Sequence, residues 1–379
     1  MLQPLVRRWR PALEDAALGE GRRLPEFVEA ALDRFCACGL PEHGFIRLKC
    51  GACGFERALA FSCKLRGLCP SCGARRMHDV ANHLVERVLP DVPIRQYVLS
   101  PPSELVGLLA ARSEALSALG RIFMEAVFKG IQSRLGSEVR CGAVVFVQRF
   151  TKTLSCFPHF HALVLDGGYV TDAEVDDDET PPRFVADRGP SSAELRELEA
   201  RVLERFGRWL AWRGYLADDI DADEPSDTEA WWLSAVRAPS GLTPVPDGRR
   251  PESFVVHAGV RMAAGDRKGR EALCRYAARP PLAEAQLEVQ EDESVKLSFR
   301  SPTRSGQSSM VLHPVALLRR LAWLVPPPRR HQLRYAGVLA PASPLRPRVV
   351  PVGRVAVQLT WVGARKCEPL APVSYRVAW

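Results

Sequence analysis

The stretch Pro158-His159-Phe160-His161-Ala162-Leu163-Val164-Leu165-Asp166-Gly167-Gly168 decides the reading of the chain. After the second histidine it is mostly apolar and ends in Gly-Gly, the pattern of a buried strand that closes in a hairpin. Side chains alternate between the two faces of a strand. His159 and His161 therefore point one way and Phe160 points into the core. Two imidazoles on one face of a rigid strand make half of a metal site. The alternative is two core or surface histidines.

The residues just upstream bear on that choice. Gly142-Ala143-Val144-Val145-Phe146-Val147-Gln148-Arg149-Phe150 reads as a second strand, and a turn through Thr151 to Phe157 returns the chain antiparallel. Gln148 then lies beside the histidines and offers an amide oxygen. Two nitrogens and one neutral oxygen, with positions left open, suit Mg²⁺ or Mn²⁺ holding phosphate oxygens as well. Zinc would call for thiols, and only Cys156 is close.

The 379 residues allow two or three domains, and 46% hydrophobic with 25% charged residues is ordinary for a globular protein. No apolar run is long enough to span a membrane, and the first residues lack the apolar core of a signal peptide. A cytoplasmic location is the expectation, with no membrane partner. The 11 cysteines then point to metal ligands rather than disulfides. Net charge is +8 overall, yet residues 171–230 carry 18 acidic and 7 basic side chains, which leaves +19 on the remainder. So basic a body suits a polyanion partner; an Arg-rich solvated surface is the alternative.

The cysteines cluster between residues 36 and 83. Cys50-Gly51-Ala52-Cys53-Gly54 and Cys69-Pro70-Ser71-Cys72-Gly73 are two Cys-x-x-Cys-Gly knuckles with 15 residues between them, the spacing of a four-cysteine zinc site. Cys36, Cys38, His43 and Cys63 are left over. They form a second zinc site, with Cys38, His43 and Cys63 as ligands, or trade places with the knuckle ligands. Between the knuckles Phe55 to Phe61 reads as a strand. Such a module is small and folded by its metal.

Elsewhere the pattern is mixed. Short helices or strands are expected at Leu24–Leu32, Ile94–Ser100, Ser191–Tyr215, Phe254–Val260, Asp266–Ala278, Gln286–Val289, Ser294–Arg300 and Pro314–Leu324. Glu104 to Leu135 reads as one long helix with Gly120 and Gly130 as weak points. Before Leu24 no element is assigned, nor after Ala340. The fold class is α+β: an antiparallel-sheet domain preceded by a small zinc-ribbon-like domain. The expected division is 1–88, an N-terminal helix and zinc-binding domain; 89–285, a catalytic domain with an acidic insertion at 171–230; and 286–379, a C-terminal region.

Taken together, these residues resemble the rolling-circle transposases of the insertion-sequence-91 and common-region families, which belong to the His-hydrophobic-His endonucleases. The resemblance runs from about Cys38 to about Pro341. It is carried by Phe61-Ser62-Cys63-Lys64, Cys69-Pro70-Ser71-Cys72-Gly73-Ala74-Arg75-Arg76, Val147-Gln148-Arg149-Phe150, Pro158-His159-Phe160-His161, Leu273-Cys274-Arg275-Tyr276 with Ala278-Arg279-Pro280-Pro281, and Leu324-Val325-Pro326-Pro327-Pro328-Arg329. It implies that His159 and His161 hold a divalent ion and that Tyr276 is the nucleophile; Gln148 as third ligand follows from strand adjacency. Some relatives carry a second tyrosine four residues earlier. Ala272 stands there, so the chain resembles the single-tyrosine type.

The implied activity is nicking and rejoining of single-stranded DNA at element ends through a 5′-phosphotyrosine. Mg²⁺ or Mn²⁺ would serve the catalytic site and Zn²⁺ the structural one. Arg75, Arg76, Arg279, Arg329 and Arg330 are the basic residues expected to meet the DNA on the nucleoid. Two alternatives remain open at this level. One is a plasmid replication initiator or relaxase of the same chemistry; the other is a non-catalytic zinc-dependent DNA-binding relative. Taken alone, Tyr276 also reads as a helix tyrosine packed on the sheet.

Overall fold

The structure is a computed structural model that describes residues 1–171, 182–215, 231, 253–303 and 305–351. The expected acidic clusters at 176–179 and 218–229 lie outside the described residues. Two helices open the chain, α1 (Leu2–Gly19) and α2 (Glu26–Cys36). The hairpin β1 (Phe45–Lys49) and β2 (Glu56–Ala60) follows, then α3 (Pro70–Arg87). Next come β3 (Ile94–Ser100), α4 (Ser103–Ala111), α5 (Ser113–Leu135), β4 (Gly142–Phe150), β5 (Cys156–Leu165), β6 (Gly167–Val170) and β7 (Arg183–Ala186). The remainder is α6 (Ser192–Trp212), β8 (Val255–Met262), α7 (Arg267–Ala278), β9 (Leu287–Val289), β10 (Val295–Ser298), β11 (Ser309–Leu312), α8 (Pro314–Leu324), β12 (Leu333–Gly337) and α9 (Arg346–Val349).

The centre is an antiparallel sheet in the order β12-β4-β5-β3-β8. The strand with the two histidines lies in the middle, buried on both faces, which is why it reads as a nearly continuous apolar run. One face carries Tyr97, Leu99, Val145, Val147, Phe160 and Ala162, packed against residues of α5 and α6. Gly120 of α5 faces Phe160 so closely that a Cβ there would lie 2.9 Å from the ring. The apparent weak point of that helix is therefore a seat for the aromatic side chain between the histidines. The other face carries Val144, Phe146, Leu163 and Leu165 beneath α3 and α7. A third core joins α1, α2 and the cysteine module to β9, β10 and α8.

Three expectations change. Glu104 to Leu135 is two helices, because Arg112 between them is extended at φ −99°, ψ 105°. The Gly-Gly pair does not turn back on β5. Gly167–Val170 continues as β6 and pairs with β7. The corner is made at Asp166, which is buried and held by Arg95 at 2.7 and 3.0 Å and by Arg261 at 2.6 Å. Gly167 is needed there, since a Cβ would meet the Val185 carbonyl at 2.0 Å. The unassigned N-terminus is helical, with Leu2, Leu5, Val6, Leu13 and Ala17 buried on one side. Pro11 and the interspersed arginines hide that stripe in the sequence.

Candidate active site and zinc cluster

Pairing of β4 with β5 sets Gln148 directly opposite His159 and Phe146 opposite His161. Directly paired residues share a face, so Gln148, His159 and His161 stand together as the alternation requires. The two imidazole centroids are 5.0 Å apart. The ring of Tyr276, on α7, meets the His161 ring edge-on at 5.6 Å. The sequence-predicted nucleophile and histidine pair are thus brought into one place.

Hydrogen bonds define which atoms face that place. His159 Nδ1 lies 2.8 Å from the Phe157 carbonyl. A carbonyl only accepts, so Nδ1 carries the proton and Nε2 presents a lone pair. Gln148 Nε2 donates to the carbonyls of Ala277 at 2.8 Å and Tyr276 at 3.3 Å. That fixes the amide orientation and leaves Gln148 Oε1 as a buried acceptor with no partner. His161 Nε2 is likewise buried without a partner. Unmatched buried polar atoms are costly, and two on one face beside a third lone pair are what a cation would satisfy. Two imidazole nitrogens and an amide oxygen fit Mg²⁺ or Mn²⁺ with positions open for phosphate.

The electrostatics agree. Burial, with some help from Arg279, pushes His159 down to about 4. Burial, then His159 and Arg279, pushes His161 down to about 2. Both imidazoles are neutral at pH 7, the form that binds metal. Tyr276 is 45% exposed, so its ring is open to a substrate. The Arg279 guanidinium lies 4.3 Å from that ring's centroid, a cation–π contact.

The zinc ligands are a correction. Cys38, Cys63, Cys69 and Cys72 place their sulfurs within 4.8 Å of one another. The separations are 3.9 Å for Cys38–Cys69 and 3.6 Å for both Cys38–Cys72 and Cys63–Cys72. A tetrahedron with Zn–S bonds of about 2.3 Å has S···S edges of about 3.8 Å. The quartet has the size of a zinc site. It combines one knuckle with two of the leftover cysteines, so Cys50 and Cys53 are not part of it, and neither is His43. The β1–β2 hairpin is the reason. Its five paired residues per strand, at about 3.3 Å each, carry the first knuckle to the far tip. Cys38 and Cys63 stay at the base, where Gly39 N–H donates to the Phe61 carbonyl at 2.8 Å. No second group of three or more metal-ligand side chains occurs among the described residues.

Within the quartet the charge concentrates on Cys69, held down to about 5 mainly by its bond with Cys63. Cys63 is pushed up correspondingly, by the same bond and by burial. Cys69 also caps α3, its sulfur accepting from Cys72 N–H at 3.5 Å, so the positive end of the helix favours the thiolate. Helix α3 packs along α7. Gly73, next to Cys72, admits Pro280 so closely that a Cβ would lie 2.7 Å from it. The cysteine cluster therefore buttresses the helix that carries Tyr276.

Of the arginines singled out, Arg75, Arg76, Arg329 and Arg330 are exposed and Arg279 is partly so. Arg66 joins them. It donates to the Arg330 carbonyl at 3.3 Å, and the nearby charge of Arg76 helps lower its pKa after burial. It was missed because a single arginine in a loop carries no pattern. Arg300 was missed for the same reason; burial, and then the charge of Arg279, lower its pKa. No helix among the described residues is long and apolar enough to cross a membrane.

Two family models match the chain, in order. Residues 7–101 match the "Transposase zinc-binding domain" of the insertion-sequence-91 type, and residues 142–346 match the "Putative transposase" family Y2_Tnp. Searches of the curated proteins and of the solved structures found no match. The second model spans more than half of the chain and contains His159, His161 and Tyr276, while the first contains all four clustered cysteines. The chain belongs to this transposase family, that of insertion sequence 91.

Proposed function

We propose that this transposase nicks and rejoins single-stranded DNA at the ends of its element, in rolling-circle fashion, through a covalent bond to Tyr276. The observation that carries the reading is the tyrosine ring 5.6 Å from His161, beside two buried polar atoms, Gln148 Oε1 and His161 Nε2, that lack partners. His159, His161 and Gln148 would hold a divalent ion, Mg²⁺ or Mn²⁺. When bound, that ion withdraws charge from the non-bridging oxygens of one phosphodiester.

The chain's own residues do the rest. The Tyr276 oxygen attacks phosphorus in line, and the 3′ oxygen leaves with its electron pair. The phenol proton passes, through solvent, to the departing 3′ oxygen. The products are a 5′-phosphotyrosine and a free 3′-OH. One phosphate ester replaces another, so the reaction runs in either direction without ATP. Arg279, over the tyrosine ring, lies where negative charge accumulates. The exposed Arg75, Arg76, Arg329 and Arg330, with Arg66, would track the DNA backbone. Cys38, Cys63, Cys69 and Cys72 would hold a zinc ion that braces the packing behind α7.

The test is nicking of single-stranded oligonucleotides tiled across the DNA flanking the gene. Wild type with Mg²⁺ or Mn²⁺ should cut at one position, and chelation should stop it. His159→Ala and His161→Ala should each lose nicking at least a thousandfold yet keep DNA affinity. Wild-type rates in either variant would exclude the reading.

A further inference from the structure

Gln96 is a polar residue on a strand whose other face carries the buried Tyr97 and Leu99. It is only 5% exposed. Strand pairing puts Val98 directly across from His161, and Val98 cannot hydrogen-bond it. Gln96 pairs with Leu163, two residues further along β5 on the same face. A diagonal neighbour of that kind is within reach of a long side chain. The Gln96 amide does reach, with its Nε2 placed 3.0 Å from His161 Nδ1.

The two ends of an amide have the same shape, so the hydrogen bonds around it, rather than the placement of the nitrogen, decide which end faces the ring. If the amide nitrogen donates, Nδ1 accepts and the ring proton sits on Nε2. That N–H would then be a buried donor, and Nε2 has no partner. An unmatched buried donor costs free energy, and it would turn a proton toward Gln148 and Tyr276. If the amide oxygen accepts, the proton sits on Nδ1 and Nε2 becomes a lone pair. That arrangement matches His159, whose Nδ1 faces the Phe157 carbonyl. A ligating histidine commonly donates its other N–H in this way.

We propose that Gln96 is a positioning residue: its side-chain oxygen accepts from His161 Nδ1–H, fixing the tautomer that turns Nε2 into the site. The proposal rests on the reading of His159, His161 and Gln148 as ligands of a divalent ion. It names the residue that makes one of those ligands competent before any ion arrives. The same service for His159 comes from a backbone carbonyl and cannot be removed by substitution. Gln96 can be.

The test uses the full chain, zinc-loaded as purified, with ¹⁵N-labelled histidine and no other divalent ion. Long-range proton–nitrogen correlation at neutral pH should show His161 protonated on Nδ1. Gln96→Leu should lose that signature and weaken Mn²⁺ binding, read by electron paramagnetic resonance, by about tenfold or more. Gln96→Glu, which can only accept, should keep the tautomer and bind Mn²⁺ at least as tightly as wild type. Zinc content and thermal unfolding report whether each variant is folded. A wild-type His161 protonated on Nε2 overturns the proposal without any variant. So does a folded Gln96→Leu protein with the Nδ1–H signature and wild-type Mn²⁺ affinity. Absence of Mn²⁺ binding by wild type would remove the metal reading instead, while the metal-free spectrum still decides the role of Gln96.

Discussion

Gln148 donates its side-chain amide to the backbone carbonyls of Tyr276, at 3.3 Å, and of Ala277, at 2.8 Å. One residue thus faces the site with its oxygen and ties down the tyrosine helix with its nitrogen. As a ligand alone it would be replaceable, because water can fill an oxygen position on a hard ion. As a tether it is not. Gln148→Ala should therefore lower nicking by more than tenfold and cost about 1–3 kcal/mol of stability. Gln148→Glu offers a better ligand but cannot donate. It should bind Mn²⁺ no more weakly than wild type and still nick poorly, because Tyr276 is no longer held. Nicking rates, Mn²⁺ titration and thermal unfolding of the two variants check this. Full activity of Gln148→Glu would show that the tether is dispensable.

The zinc prediction follows from geometry rather than spacing. The protein should hold one zinc ion on Cys38, Cys63, Cys69 and Cys72. Cys38→Ser and Cys63→Ser should lose it, lower the thermal midpoint and, through α3 against α7, slow nicking. Cys53→Ser should keep the ion. Elemental analysis of freshly purified, reduced variants decides between this set and the two-knuckle set. Zinc lost from Cys53→Ser and kept in Cys38→Ser would restore the latter.

How much was legible differs between these two sites for a physical reason. His159, His161 and Gln148 sit on adjacent strands, where a period of two fixes the face and a short turn fixes the register. Their proximity could be read from residues fewer than 15 apart. The zinc quartet depends on where a hairpin begins and ends. Both Cys-x-x-Cys-Gly knuckles look alike locally, and only the length of β1 and β2 moves one of them away from the other. Gln96 lies more than 60 residues from His161, and their contact exists only because β3 pairs with β5. The strand β12 was equally hidden. Its residues Leu333 to Gly337 give no alternating pattern, yet they pair with β4 at the sheet edge.

The lowered histidines make acid sensitivity predictable. Each folded pKa lies below the ordinary value of 6.5, at about 4 for His159 and about 2 for His161. Between 6.5 and each of those folded values the unfolded chain binds more protons than the folded one. Their contribution to stability is thus complete above about 6.5 and is lost as pH falls through about 4 for His159 and about 2 for His161. Thermal midpoints of wild type should drop over that window more steeply than those of the His159→Leu, His161→Leu double variant. Parallel curves would mean that burial of the two rings is not what costs stability in acid.

Tyr276 gives the sharpest expectation. It sits on α7, one turn from the Arg279 that covers its ring, with half of its surface open and the His161 ring at its edge. If its oxygen attacks phosphorus, the nicked 5′ end stays bound to the protein. A single strand labelled at its 3′ end should then migrate with the protein through denaturing electrophoresis, resist boiling in detergent, and be released by protease. Tyr276→Phe removes only the hydroxyl. The ring can still meet His161 and Arg279, and the zinc cluster is untouched, so fold, zinc content and DNA affinity should persist. Adduct and nick should both vanish. Adduct formation by Tyr276→Phe would move the nucleophile elsewhere. Tyr335 is then the first to test, because Arg346 lies 5.2 Å from its ring centroid. Half-buried on β12 with its pKa raised by burial, however, Tyr335 is the poorer nucleophile of the two. A nick without any adduct in wild type would make water the attacking group, and the arrangement of α7 over the histidines would need another purpose.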